Sequence, residues 1–238
     1  MLAYASRTGT RRNLAALRRA GWRLLVSATG VHDTHGFDYA LDNGAWTAHQ
    51  RDEPFDVAAF RQVVAKLGSG ADWIVVPDIV GGGLESLGFS RKWLDELEGV
   101  APLLLAVQDG MLPEHVRELV GPRLGIFLGG STDWKLQTMR AWGNLARLEG
   151  AYFHVGRVNS AKRIWQCQDA GADSFDGTSA TRYAVTLPLL DGARRQKSLL
   201  DPMTTCLMCG SDELRFDPSS AELDCTACGE TYGQATHT

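Results

Sequence analysis

The feature that most constrains this chain is a repeated alternation of short apolar runs with longer segments of helical spacing. The apolar runs are Leu2–Ala5, Leu24–Ala28, Tyr39–Asp42, Trp73–Asp78, Leu103–Gln108, Gly125–Gly129, Tyr152–Gly156 and Asp173–Asp176. Between them, Leu14 and Leu17, then Val57, Phe60, Val63, Val64 and Leu67, mark apolar helical stripes. Leu84–Leu97, Pro113–Val120, Thr132–Leu148 and Asn159–Ala170 continue the pattern, while Thr29–Asp38 is too short for a full helix. Gly68, Gly121, Gly150 and Gly171 stand where helices are expected to end in a left-handed residue. Strands that alternate with helices require right-handed crossovers and a parallel sheet. Eight such strands predict an α/β fold, a closed (β/α)8 TIM-like barrel over residues 1–200. An open doubly wound sheet is the alternative, weakened because no glycine-rich dinucleotide fingerprint follows the first strand.

Residues 201–238 have a different character. Cys206-x2-Cys209 and Cys225-x2-Cys228 each precede a glycine, Gly210 and Gly229. Paired knuckles of this spacing bring four thiolates around one ion, which predicts a four-cysteine zinc ribbon. With every position filled by sulfur, the zinc is expected to be structural. Two disulfides are the competing reading, disfavoured because no secretory signal precedes the first strand. Cys167 is left over and reads as a small buried hydrophobe on a helix.

The formal net charge of −4 hides a local asymmetry, since Arg7, Arg11, Arg12, Arg18, Arg19 and Arg23 all precede the first acidic residue, Asp33. Such a segment suits phosphates, but the solvated face of a helix or an organelle transit peptide has the same composition. No apolar run is long enough to span a bilayer, so a soluble, cytoplasmic protein is expected. Gly81-Gly82-Gly83 lacks the Gly-Lys-Ser/Thr of a phosphate loop, and no nucleotide or redox cofactor is expected.

In a parallel barrel, residues that act on a substrate gather at the carboxyl ends of the strands. Those ends carry Asp42-Asn43-Gly44, Pro77-Asp78, Gln108-Asp109-Gly110, Gly129-Gly130, His154-Val155-Gly156-Arg157 and Asp176-Gly177. A single aspartate at such a point is commonly a helix cap. Several aspartates around one mouth suit acid–base and nucleophilic work at an anomeric carbon, or a hard cation such as magnesium. The pattern alone leaves that choice open.

The segment Gly171-Ala-Asp-Ser-Phe-Asp176-Gly-Thr-Ser-Ala-Thr-Arg182 resembles the surroundings of the catalytic aspartate of tRNA-guanine transglycosylases. Asp42-Asn-Gly-Ala-Trp46 is similar to that family's Asp-Ser-Gly-Gly-aromatic motif, and Asp78, Gln108 and Gly129-Gly130 fall in the order in which the family reads its base. The likeness spans most of residues 1–190. The tRNA enzymes carry a different cysteine site, and Ala180 replaces the proline before Thr181-Arg182. Compact relatives that insert 7-deazaguanine into DNA, found in phages and bacterial islands, are the nearer likeness.

The resemblance implies a pentosyltransferase that exchanges guanine in DNA for a free 7-deazaguanine base, with preQ0, the cyano-substituted base, as the expected substrate. It casts Asp176 as nucleophile and Asp42 as proton donor and acceptor. Asp78 and Gln108 would read the base edge, and Gly129 and Gly130 would offer N–H groups. Arg7, Arg11, Arg12, Arg157 and Arg182 would hold phosphates. Three alternatives stand beside it: the same chemistry on tRNA, a base-removing N-glycosylase, and a non-catalytic nucleic-acid binder.

Overall fold

The computed structural model describes residues 1–6, 10–196, 208, 211, 213–217 and 222–232. The chain divides into two compact units, Met1–Gln196 and Lys197–Thr238. The first runs β1 (Leu2–Ala5), α1 (Arg11–Ala20), β2 (Arg23–Ser27), β3 (Tyr39–Asp42), α2 (Ala45–Gln50), α3 (Val57–Leu67), β4 (Ile74–Val75) and α4 (Gly83–Leu97). It continues with β5 (Leu103–Val107), β6 (Leu124–Leu128), α5 (Thr132–Glu149), β7 (Phe153–Val155), α6 (Ala161–Asp169), β8 (Ser174–Gly177), α7 (Ser179–Arg182) and α8 (Leu187–Arg195). The eight strands close in sequence order into one parallel barrel, a TIM-like α/β fold.

Alternation along each strand separates two cores. Phe153, Val155 and Phe175 point outward against the helices, in the larger cluster with Phe60, Trp93 and Trp142. Inward-facing Tyr4, Trp73 and Leu104, with Phe127 packed against them, fill the barrel, so it is a packed core and not a pore. At the amino-terminal end of the strands, Asp72 accepts hydrogen bonds from the Tyr4 hydroxyl at 3.0 Å and from Arg23 at 2.6 Å. Closure of the barrel between β8 and β1 is reinforced by α8. Its Asp191 accepts from Trp22 Nε1 at 3.0 Å and from Arg194 and Arg195 at 2.6 and 2.8 Å.

Several local expectations need correction. Pro113–Val120 is not an α-helix: only Pro113–His115 forms a 3-10 turn, and irregular turns follow. Val116 and Val120 supply the helical spacing because both face the core. The fourth strand is shorter than its apolar run, since Pro77 has no N–H to extend the ladder. Gly150 and Gly171 adopt the left-handed region, with φ of 64° and 77°, but Gly68 stays right-handed at −56° and starts a 3-10 turn. Gly121 is not among the residues of positive φ.

The second unit contains β9 (Leu214–Asp217), β10 (Glu222–Cys225) and β11 (Thr231–Tyr232) in an antiparallel sheet ordered β11-β10-β9. Cys225 and Cys228 bracket a tight turn in which the Gly229 N–H donates to the Cys225 carbonyl at 2.8 Å. Gly229 has φ of 80°, a conformation that favours glycine. Cys206 and Cys209 lie outside the described residues. No helix among the described residues is long and apolar enough to cross a membrane.

The closest backbone approach involving a glycine is at Gly143 of α5, where an added Cβ would lie 1.8 Å from the Ala170 carbonyl oxygen at the end of α6. Gly143→Ala is therefore expected to cost roughly 1–3 kcal/mol by forcing α5 away from its neighbours. Chemical denaturation measures this, and an unchanged midpoint would contradict the packing described.

Candidate active site

The carboxyl ends of the barrel strands open into a cavity of about 790 Å³. Asp42 from β3, Asp78 after β4, Gln108 and Asp109 after β5, Gly129 and Gly130 after β6, Arg157 after β7 and Asp176 from β8 all line it. The cavity thus gathers side chains far apart in sequence, as the strand-end pattern predicts.

Asp176 is the most fully engaged of these carboxylates. Its Oδ2 accepts from the Ser6 hydroxyl at 2.5 Å, while Oδ1 accepts from the Arg157 backbone N–H at 3.1 Å and faces His154 Nε2 at 3.2 Å. Burial pushes its pKa upward, but the hydrogen bond of His154, the charge that ring carries when protonated, and the Ser6 and Arg157 donors outweigh this and hold it below the ordinary carboxylate range. Asp176 is therefore an anion. His154 is fully buried, and burial, opposed by Asp176, leaves its own pKa below the usual histidine value. A neutral imidazole facing an anion carries its proton on Nε2, so Nδ1 accepts from the Ser174 hydroxyl at 2.7 Å. The ring is clamped by Phe127, stacked at 4.9 Å, and Trp73, tilted at 4.6 Å. Thus the packed barrel interior fixes the group that fixes Asp176.

Asp42 behaves in the opposite way. Burial, then the nearby charges of Asp176 and Asp78, raise its pKa from near 3.8 to about 7, against the opposing Gly44 N–H and Ser27 hydroxyl. It holds a proton close to neutrality. Two carboxyl groups lining one cavity, one ionised and one protonated, are the condition for dividing nucleophile from acid.

Asp78 is also raised, to about 6, by burial, with Asn43 and Gln108 pulling the other way. The Asn43 amide donates to Asp78 Oδ1 at 2.8 Å and to the Val76 carbonyl at 2.9 Å, and its carbonyl accepts from Ala45 N–H at 2.8 Å. Asn43 thereby ties β3 to β4 directly beside Asp42. Gln108 donates to Asp78 Oδ2 at 3.3 Å and to Ile79 O and Ser86 Oγ at 2.8 Å, while its carbonyl accepts from Gly81 N–H at 2.5 Å. Its amide is thus occupied in shaping the Ile79–Gly81 loop around Asp78.

Gly129 offers no spare donor, because its N–H bonds the Val107 carbonyl at 2.9 Å. Gly130 has φ of 68°, and a Cβ there would fall 2.6 Å from Asp109 Oδ2 and 2.7 Å from the Trp134 ring. Asp109 accepts two 2.6 Å hydrogen bonds from Ser131, the cap of α5. Burial opposes its ionisation, yet those bonds, with the charge of Arg157, hold it below its usual range.

The predicted phosphate-binding arginines are differently placed. Arg157, at φ of 59°, bonds the Gly130 carbonyl and lies 4.2 Å over the Trp46 ring, bridging two sides of the mouth. Arg182 is exposed and lines the cavity. Arg11 and Arg12 are exposed on the first turn of α1 and do not line it, and Arg7 lies outside the described residues.

Ser6, Asn43, Ser174 and Lys135 received no role from the sequence. Ser174 shares the inward face of β8 with Asp176 at a spacing of two, a signal available from alternation. Lys135 is buried on the same helical stripe as Met139, Trp142 and Ala146, and its ammonium donates to the Gly156 carbonyl, steadying the loop that supplies the Arg157 N–H. A charged residue on an apolar stripe was the signal there. Burial and the charge of Arg157 lower the pKa of Lys135 to about 8.

Fold and site together define a TIM-like barrel whose mouth holds one buried and two partly exposed carboxyl groups of unequal acidity. Compared with known proteins, the chain matches no family model and no curated protein.

The two central carboxyls impose opposite pH dependences on stability. Asp42 binds its proton more tightly when folded, so its contribution is greatest below about pH 4 and is lost as pH rises through about 7. Asp176 is more acidic when folded, so its contribution is present above its ordinary value near 3.8 and is lost as pH falls below it. At pH 8, Asp42→Asn is expected to stabilise the protein by about 2–4 kcal/mol, a gain that shrinks toward pH 5. Asp176→Asn is expected to destabilise it at the same pH by about 1–3 kcal/mol. Urea titrations across pH measure both, and shifts of the same sign would contradict the assignment.

Proposed function

We propose that this protein is a DNA-guanine transglycosylase, which exchanges guanine for a free 7-deazaguanine base by double displacement. The observation that carries the reading is the unequal ionisation of Asp176 and Asp42 in one cavity. The resemblance of the Asp176 and Asp42 segments to guanine transglycosylases supplies the substrate class.

In the first displacement an oxygen of Asp176 attacks C1′ of the target deoxyguanosine. Oδ2 accepts one described hydrogen bond against two contacts at Oδ1, and is the better placed for bond formation. The C1′–N9 bond breaks with its electron pair leaving on guanine, and protonated Asp42 gives the departing base a proton. The result is a glycosyl-Asp176 ester, free guanine and an Asp42 carboxylate. In the second displacement Asp42 takes the N9 proton of the incoming 7-deazaguanine, N9 attacks C1′, and the Asp176 carboxylate departs. Two inversions give net retention. Asp78 presents acceptor oxygens to the base edge, held by Asn43 and Gln108. A polar site of this kind discriminates strongly, because a wrong base leaves buried groups unpaired. Carbon at position 7 cannot take the proton that helps guanine leave, which makes exchange one-way. The target base must leave its stack to reach the cavity, at a cost of a few kcal/mol in a duplex.

Cys206, Cys209, Cys225 and Cys228 would hold one structural zinc ion. The Cys225–Gly229 turn suits such a knuckle, and thiolates are ligands of the right softness. Elemental analysis of the purified chain should give one zinc per chain, and metal-free protein would refute this.

The functional test is mass spectrometry of nucleosides after incubation of the protein with guanine-containing DNA, or tRNA, and preQ0. Wild-type protein is expected to place the 7-deazaguanine in DNA. Asp176→Asn should reduce exchange at least about 10³-fold, as loss of a covalent nucleophile does. Asp42→Asn should lose the dependence of rate on a group titrating near 7. Near-normal exchange by the Asp176 variant would defeat the mechanism. A modified base only in tRNA would transfer the chemistry to tRNA, and abasic sites would replace exchange by hydrolysis.

A further inference from the structure

The rim of the barrel is electrically polarised by sector. In the closed barrel, β7, β8 and β1 are neighbours, and the segments that follow them carry no acidic residue from Gly156 to Gln168, from Gly177 to Leu190, or from Ser6 to Ala20. Their helices present cations instead: Arg11 and Arg12 in the first turn of α1, Lys162 and Arg163 in the first turn of α6, and Arg182 at the end of the single turn α7. The segments after β4, β5 and β6 instead place acidic residues there, with Glu85 in the first turn of α4, Glu114 in the turn after β5 and Asp133 in the first turn of α5, where the one cation, Lys135, is buried on the Gly156 carbonyl.

Helix stability does not account for this arrangement. The amino-terminal end of a helix carries partial positive charge, so Arg11, Arg12, Lys162 and Arg163 are placed where the backbone disfavours them. Ion pairing does not account for it either, since Arg11, Arg12, Lys162 and Arg182 form no salt bridge among the described residues. Between the arms of this basic sector stands Tyr183, 53% exposed, with the Arg182 guanidinium 5.5 Å from its ring centroid. The Asn13 amide donates to the Thr181 carbonyl at 2.8 Å, fixing the first turn of α1 against α7, so that the cations of the two helices belong to one surface. An exposed aromatic ring among unpaired cations beside a cavity is what binds the backbone and bases of a single strand.

We propose that the β7–β8–β1 side of the mouth is the track for a single-stranded DNA segment, with Arg11, Arg12, Lys162 and Arg182 on phosphates and Tyr183 stacking a neighbouring base. The identity of the strand rests on the exchange reading above. Asp176 on β8 lies beneath this track, where a sugar held by its phosphates would sit. The hydrogen-bonding groups of β4 and β5 face it across the cavity, where the base would be read. The polarity of the rim therefore matches the polarity of a nucleotide, phosphate on one side and base on the other.

The test uses the full chain carrying Asp176→Asn, so that binding is read without turnover. Its probe is a fluorescein-labelled single-stranded 15-mer with one guanine, followed by anisotropy over a range of salt. The combined Arg11→Glu and Arg12→Glu variant, and Lys162→Glu separately, should each weaken binding at least tenfold and flatten its salt dependence. Tyr183→Ala should weaken it about fivefold or more with the salt slope unchanged. Glu85→Gln, in the opposite sector, should stay within twofold of the parent. Charge reversals that leave affinity and salt slope unaltered, or a Glu85→Gln loss as large as theirs, would overturn the proposal. The surface and the chemistry fail separately. A protein that binds through this sector but exchanges no base removes the exchange reading alone. Undiminished exchange by the Arg11→Glu, Arg12→Glu protein removes the track alone.

Discussion

The site depends on one buried anion and the way it is held. A carboxylate taken out of water is costly unless donors replace its hydration. Asp176 receives three from the two strands that flank β8: the Ser6 hydroxyl after β1, and the His154 imidazole in β7 with the Arg157 backbone N–H after it. Each donor is in turn fixed by something else. His154 is clamped between Phe127 and Trp73 and bonded to Ser174, while Lys135 holds the Gly156 carbonyl. The aromatic filling of the barrel is therefore also the support of the buried carboxylate.

The charge of Asp176 has a consequence on the other side of the cavity. It helps keep Asp42 protonated near neutrality, along with burial and Asp78. Environment alone separates the two carboxyls, which is the difference that the proposed division of roles requires. The same separation is a strain on the folded state. Asp42 would be less costly as an amide, as is usual where a proposed reactive site is built at the expense of stability.

Much of the architecture was legible from the sequence, and the failures have physical causes. All eight strands were visible because a barrel strand is buried on both faces and reads as a continuous apolar run. β1 and β3 were read with their observed bounds, while most of the others were displaced by one residue at one or both ends, since hydrophobicity marks burial and not the last ladder hydrogen bond. At β4 the two diverge most, because Val76 remains buried while Pro77 ends the pairing. Val116 and Val120 imitated a helix because spacing reports a shared face, which a series of turns also provides. The closing helix α8 went unread although Leu187, Leu190 and Ala193 keep helical spacing. At the mouth, Asp42, Asp78 and Asp176 were legible as strand-end carboxylates. Their unequal acidities were not, for these depend on Ser6, His154 and one another across the ring. Gly129 illustrates the same limit, since only pairing in space shows that its N–H is already used.

The central claim is that two aspartates in one cavity differ in proton affinity, and it is tested most directly by carboxyl ¹³C NMR titration of aspartate-labelled protein. The account expects one resonance with a midpoint near 7 that disappears in Asp42→Asn, and another still ionised below the ordinary carboxylate range that disappears in Asp176→Asn. If both resonances titrate together near the ordinary value of 3.8, the division of roles between them is contradicted.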